Sequence, residues 1–148
     1  LFQIRKIKPE DIGFITELTV ENGIYEGKLL ENIEGFVVCE NDKALRGCGC
    51  LIANGSRGYI NWVAISREAR RDKLGSAVVK ALLNIAEHKG VDKVYAPGIC
   101  PGFLHALGFS ETSCGPEDDQ AREVLGLKSV ENIFEVSLEG YFKPCSQK

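Results

Sequence analysis

The sequence predicts an α/β fold of the α+β type, in which a mixed, largely antiparallel central sheet carries helices on both faces. Three observations lead there. Three apolar segments, Gly35–Glu40, Leu45–Ala53 and Tyr59–Ile65, follow one another with turn-forming residues between them (Asn41-Asp42-Lys43 and Asn54-Gly55-Ser56-Arg57-Gly58), the pattern of an antiparallel meander. Leu74, Ala77, Val78, Ala81, Leu82 and Ile85 then recur at i, i+3, i+4, i+7, i+8 and i+11, one face of a long helix. The next apolar segment, Lys93–Ala96, must lie parallel to Tyr59–Ile65, because a strand that returns through a helix does so by a right-handed crossover.

The remaining elements follow from local chemistry. Phe2–Ile7 alternates apolar and basic residues and reads as a short strand. Pro9-Glu10-Asp11 opens a helix: proline loses nothing where the N–H is unused, and the acids sit where the helix dipole favours them. Ile12, Ile15 and Leu18 form its stripe, and Asn22-Gly23 ends it. Glu26–Ile33 is a weaker helical segment. Gly47 and Gly49 interrupt the Leu45–Ala53 strand. The long helix closes at His88-Lys89-Gly90, with cations in the last turn and glycine just beyond. Pro101–Leu107 is a short helix ending at Gly108, Phe109 starts another strand, Glu117–Leu127 is a polar excursion with helical character, and Ile133–Leu138 is the final strand. No repeat, low-complexity run or linker intervenes, so one domain over 1–148 is expected.

With 44% apolar and 26% charged residues, the chain can bury a core. Eighteen Lys and Arg against 21 Asp and Glu leave a net charge of −3, and no long basic run points to nucleic acid. No apolar run approaches the roughly 18 residues of a membrane span. The alternating N-terminus lacks the apolar block of a signal peptide, so a cytoplasmic address is expected. Six cysteines (Cys39, Cys48, Cys50, Cys100, Cys114, Cys145) invite a disulfide or metal reading. Cys48 and Cys50 sit two apart in a strand, roughly 7 Å between Cα atoms and on one side, which suits a mutual disulfide poorly. No Cys-x-x-Cys or His-x-x-x-His spacing marks a metal site, and buried reduced thiols are the expectation.

The stretch from Val63 to Ser76 carries the most chemistry. An apolar strand passes through a polar arc into the first turn of the long helix, which aims several backbone N–H groups and the positive end of the helix dipole at one place. Such a place suits a phosphate or pyrophosphate. A Walker A loop would need a Gly-Lys-Ser/Thr ending that is missing, and a dinucleotide fingerprint would need three glycines after a first parallel strand, whereas this arc follows a meander.

Strand, Arg-rich arc, Gly-Ser, long helix, strand, short helix and Gly-Phe, in this order, resemble the GNAT superfamily of acetyl-CoA-dependent N-acyltransferases. The family's Arg/Gln-x-x-Gly-x-Gly/Ala motif corresponds to Arg70-Arg71-Asp72-Lys73-Leu74-Gly75, followed by Ser76. Arg70, Leu74 and Gly75 match, and Lys73 stands where the family has its first Gly. The second half of the signature, an aromatic pair followed by Gly-Phe, appears as Phe103-Leu104-His105-Ala106-Leu107-Gly108-Phe109. Lys28-Leu29-Leu30, Ile33-Glu34-Gly35-Phe36-Val37-Val38 and Arg46-Gly47-Cys48-Gly49-Cys50-Leu51 look like the amino-acid N-acetyltransferase branch, the N-acetylglutamate-synthase-like enzymes. The segment between Leu-Leu and Phe-Val-Val is short here and lacks the basic residues that branch uses near its amino-acid substrate.

The resemblance implies acetyl-CoA as co-substrate and a primary amine on a small molecule, such as an amino acid, as acceptor. It implies that Arg70, Arg71, Asp72, Lys73, Leu74, Gly75 and Ser76 hold the pyrophosphate, that the Val63 main chain meets the pantetheine arm, and that the Ile65 backbone N–H meets the oxyanion. One such donor is worth roughly 10²–10³ in rate. A base or water chain must deprotonate the amine, whose ordinary pKa is ~10. Two departures stand out: the Tyr that many members use as general acid is Leu104, and Tyr59–Ile65 contains no Glu to serve as base.

Among the polar residues near the expected cleft, His105 reads first as a surface helix residue and Asn61 as a satisfied structural group; Tyr59 does not stand out. Arg67 reads as a solvated charge and Cys100 as a small hydrophobe. Catalytic residues are therefore unassigned. Two other classes compete: a catalytically silent CoA-binding or partner-binding sensor, favoured by Lys73, Leu104 and the missing base, and a thiol or metal protein. Gly115–Leu127 either covers the acceptor pocket or packs on a second subunit, which leaves a homodimer open.

Overall fold

The meander forms where the turn residues place it. Asp42 and Lys43, at the centre of the first turn, both take positive φ (53° and 67°), the left-handed pair that a two-residue hairpin turn requires, and Gly55 (φ 63°) opens the second. The computed structural model describes residues 2–21, 30–67, 69, 73–98, 100–112, 116–127 and 132–142. β1 (Phe2–Lys6) leads through a 3₁₀ turn at Pro9–Asp11 into α1 (Ile12–Glu21); a 3₁₀ segment, Leu30–Gly35, precedes β2 (Phe36–Asn41), β3 (Ala44–Asn54) and β4 (Arg57–Ile65). α2 (Leu74–His88), β5 (Lys93–Pro97), α3 (Pro101–Ala106), β6 (Ser110–Glu111), α4 (Pro116–Leu125) and β7 (Ile133–Ser137) follow. The strands hydrogen-bond in the order β1-β2-β3-β4-β5-β7-β6. β4 and β5 run parallel at Arg57–Tyr59 and Lys93–Tyr95, while the β1–β2, β2–β3, β5–β7 and β6–β7 ladders are antiparallel.

Two compact units make up the chain, Leu1–Ile52 with Ile60–Leu82, and Ala53–Tyr59 with Leu83–Lys148. In the first, β3 explains the helices on both faces. Side chains alternate along a strand, so Gly47 and Gly49 share one face while Cys48 and Cys50 share the other. A β-carbon at Gly49 would lie 2.6 Å from Val78 Cγ1 and 3.0 Å from Leu82 Cδ1, so α2 rests directly on the glycine face. On the opposite face Cys48 and Cys50 join Phe36, Val38 and Ala64 in a fully buried cluster with Ile15 and Leu18 of α1. The Gly-Cys-Gly-Cys pattern is thus a packing device: small on the side where α2 comes close, apolar on the side that α1 covers.

β1 and the start of α1 are tied by charge. The Arg5 guanidinium grips Asp11 through Nη1 at 2.7 Å and Nη2 at 3.1 Å and reaches Glu40 Oε1 from Nε at 3.3 Å, and the Lys8 backbone N–H donates to Asp11 Oδ2 at 2.7 Å. Asp11 is buried. These donors, Arg5 first, hold its carboxyl below the usual carboxylate range against the opposing effect of burial.

In the second unit, β5 is flanked by the start of β4 and by β7, and β7 separates β5 from β6. Tyr59 and Tyr95, both buried, stack with centroids 5.7 Å apart. α4 packs on β5 and β7, burying Ala121 and Leu125. The Tyr141 hydroxyl donates to the Leu107 carbonyl at 2.6 Å, with its ring over Gly108 (φ 93°), a turn where any side chain would be both strained and crowded.

Several expectations shift. α2 buries Leu74, Val78, Val79, Leu82, Leu83 and Ala86, while Ala77, Ala81 and Ile85 are only half-buried. The real stripe includes the larger Val79 and Leu83 and leaves the small alanines at its flank. The strand expected from Phe109 is reduced to Ser110–Glu111, with Phe109 buried ahead of it. The Asn22-Gly23 stop and residues 26–29 of the weak helix lie outside the described residues.

Because Asp11 titrates lower folded than unfolded, its stabilisation is fully present above the unfolded value of about 4 and is lost as pH falls through the folded value. Asp11→Asn is expected to cost roughly 2 kcal/mol at pH 7. Denaturant melts as a function of pH should show this gap closing below about pH 4.

Candidate functional site

Along β4 the side chains divide as β3 requires. Val63, half-buried, lies on the α2 face, 3.7 Å from where a Gly49 β-carbon would stand, while Ala64 belongs to the α1-side cluster and Ile65 is buried. Beyond the strand, the Ser66 N–H still donates to the Arg46 carbonyl at 2.8 Å. The Ser66 carbonyl then accepts the Ala69 N–H at 3.0 Å, a tight turn that lifts the chain off the sheet. The Ser66 hydroxyl is buried with no hydrogen-bond partner among the described residues. An orphaned buried hydroxyl costs about 1–3 kcal/mol until a water or ligand satisfies it.

Arg70, Arg71 and Asp72 lie outside the described residues. Lys73 follows with φ 61°, exposed, and its carbonyl accepts the Ala77 N–H at 3.3 Å, so it caps α2. Leu74 anchors the helix in the core at 1% exposure, while Gly75 and Ser76 are half-buried in the first turn. That turn carries no acid, so nothing in it offsets the positive end of the helix. Lys73 thus holds the left-handed backbone that glycine adopts without cost, and its side chain is exposed.

Tyr59 stacks on Tyr95, Asn61 is half-buried, and His105 is exposed on α3 with its ring edge-on to Phe134 at 5.3 Å. Leu104 is buried, and Cys100 is exposed just before α3. Cys39, Cys48 and Cys50 are buried and in the thiol form; burial pushes the Cys48 and Cys50 thiols up to about 12, which keeps them neutral and unreactive. Cys114 and Cys145 lie outside the described residues. Among the described residues no three His, Cys, Asp or Glu side chains gather to hold a metal, and no helix is long and apolar enough to cross a membrane.

An open cavity of about 620 Å³ lies in the second unit, lined by Arg57 and Lys93 and by Glu87, Asp92 and Glu139. It contains none of the residues that the sequence assigns to cofactor binding. The buried Ser66 and its N–H bond to the Arg46 carbonyl were not foreseen. The Gly47 and Gly49 interruption of the strand was the signal that could have marked a close approach there.

The chain matches the model of the acetyltransferase (GNAT) family over residues 5–115, and it belongs to that family. No protein of curated function matches it by sequence comparison alone. Among solved structures it is similar to N-acetylglutamate synthase from Neisseria gonorrhoeae complexed with coenzyme A and N-acetyl-glutamate, at 23% identity and TM-score 0.76, covering 93% of this chain and 35% of that one. It is also similar to Rv2747 from Mycobacterium tuberculosis in complex with CoA (22%, TM-score 0.76, 91% and 98% covered). A third is the ribosomal-protein-S18-alanine N-acetyltransferase from Escherichia coli (13%, TM-score 0.73, 93% and 94% covered). The chain therefore spans about a third of the length of the Neisseria synthase. At these identities the likeness is one of fold.

Lys73→Gly is expected to raise stability by roughly 0.5–1 kcal/mol, since relief of the left-handed lysine and of a cation at a helix N-terminus outweighs the entropy of the added glycine. A urea or thermal melt of the two proteins checks it.

Proposed function

We propose that this chain transfers the acetyl group of acetyl-CoA to a primary amine on a small molecule, an amino acid being the leading class. Family membership supplies the reaction type, and the observation that carries the reading to this chain is the conformation of Lys73. Lys73, at the entry to α2, has a glycine-like backbone, which supports reading it as a tolerated replacement for the first glycine of the family motif. The acid-free first turn of α2 and the unpartnered Ser66 hydroxyl also fit a place completed by a polar ligand. The described β4–β5 ladder ends at Tyr59, well before Val63, which suits a main-chain role for Val63.

In this reading Arg70, Arg71, Asp72, Lys73, Leu74, Gly75 and Ser76 would hold the diphosphate, mainly through backbone N–H groups, with Arg70 and Arg71 adding charge-assisted bonds. Val63 would align the pantetheine arm, and the Ile65 backbone N–H would be the donor to the acetyl oxygen as it gains negative charge. Acetyl-CoA would supply the activated thioester, and the acceptor amine would lose its proton to a base or a water chain. The finer likeness to the N-acetylglutamate-synthase-like branch belongs to this proposal. Fold similarity alone does not choose the acceptor, because the neighbours include a synthase crystallised with N-acetyl-glutamate and an enzyme named for a ribosomal protein's alanine. A single domain, a cytoplasmic address and a homodimer are likewise proposals.

A second reading is a CoA-binding domain without turnover. The buried Leu104 favours it: the position where many members carry a phenol is turned into the core.

Calorimetric titration with acetyl-CoA, then CoA release with a panel of amines, separates these readings: binding with turnover supports the enzyme, and binding without turnover supports the sensor. Gly75→Asp is expected to weaken acetyl-CoA affinity by about tenfold or more, from one carboxylate placed against the phosphates. Unchanged affinity in this variant would count against the assigned site.

A further inference from the structure

Resting on the reading above, we propose that Gly47, with the Arg46 bulge beside it, is a positioning residue for acyl transfer: it sets where β4 presents the Ile65 backbone amide. Two constraints converge on the end of β4. The first is an anchor. In the β2–β3 ladder Cys39 pairs with Gly47 and Glu40 with Leu45, so Arg46 is an extra residue on β3, a β-bulge. The Arg46 carbonyl accepts the Ser66 N–H at 2.8 Å and so ties down the residue that follows Ile65.

The second constraint is clearance. A β-carbon at Gly47 would stand 2.5 Å from Ile65 Cδ1 and 3.1 Å from the Ala64 carbonyl oxygen, with the Ile65 Cα at 3.6 Å. The Cδ1 atom ends a side chain and can turn aside, although Ile65 is buried. The Ala64 carbonyl is backbone and can give way only if β4 itself moves. Gly49 stands on the same face, but its near neighbours are the Val78 and Leu82 side chains of α2 at 2.6 and 3.0 Å. The two glycines therefore serve different purposes: Gly49 admits the helix, and Gly47 fixes the strand end. In acyl transfer the oxyanion donor must meet a charge that develops at one point, and a misplacement of about 1 Å costs on the order of 10²-fold in rate.

The test compares Gly47→Ala, Gly49→Ala, Ile65→Val and the Gly47→Ala/Ile65→Val double variant. Three quantities are read: kcat with acetyl-CoA and the best amine from the panel, the Kd for CoA by calorimetry, and the apo amide resonances of Ile65 and Ser66. Gly47→Ala is expected to lower kcat by about 5- to 10-fold, a shift of a few tenths of an ångström, with the CoA Kd unchanged within about twofold and both amides displaced. Removing Cδ1 in the double variant should recover part of the loss, leaving kcat about two- to threefold below Ile65→Val alone because the Ala64 carbonyl still resists. Gly49→Ala should lose thermal stability and keep its kcat.

If Gly47→Ala proves too unstable to assay, the double variant against Ile65→Val carries the test. Wild-type turnover with Gly47→Ala unaffected and its amides unmoved would overturn the proposal alone. So would a loss that the double variant does not recover and Gly49→Ala equals. A wild-type protein that neither binds CoA nor turns over would overturn the parent reading, and this inference with it.

Discussion

Everything placed in the first unit depends on how closely β3 lets its neighbours come. The strand has no side chains at Gly47 and Gly49, and there the Ile65 end of β4 and the Val78–Leu82 turn of α2 sit within van der Waals reach of its backbone. On the reverse face Cys48 and Cys50 fill the space beneath α1, where larger residues would crowd and polar ones would go unsatisfied. One four-residue pattern thereby sets the distances from the sheet to both helices and to the strand that leads into the candidate site.

The candidate site is built against local stability. A lysine at positive φ and a cation at the positive end of a helix are each unfavourable, and a buried hydroxyl without a partner stands a few residues away. Strain gathered at a single place is an observation from which a functional role is inferred. An anion bound at the arc would relieve the electrostatic part of that strain, which makes Lys73 intelligible as a residue that costs stability in the free protein. The chemistry beyond the arc is sparser. Leu104 is in the core, the Tyr59 ring stacks on Tyr95, and the Tyr141 hydroxyl is engaged by the Leu107 carbonyl.

Much of this was legible in the sequence. The meander could be read from Asn41-Asp42-Lys43 and Asn54-Gly55, and α2 could be bounded within a residue by its period and by His88-Lys89-Gly90. These signals are local, and local chemistry decides them. What stayed hidden depends on pairing at a distance. Nothing in Ile133–Leu138 says that it enters between β5 and β6, and nothing in Asp11 alone says that Arg5 bridges it to Glu40. Lys73 could be recognised as a departure from a motif, but only the structure gives its backbone angle, one that glycine takes without cost. Ser66 looked like part of a polar arc and proved to be buried.

The account stands or falls on ligand binding where β4 turns into α2. Following backbone amide resonances while CoA is titrated in tests that most directly. Saturable shifts centred on Val63, Ile65 and the residues from Arg70 to Ser76 are the predicted result. No saturable change there, or shifts confined to the cavity lined by Arg57, Asp92 and Glu139, would contradict it.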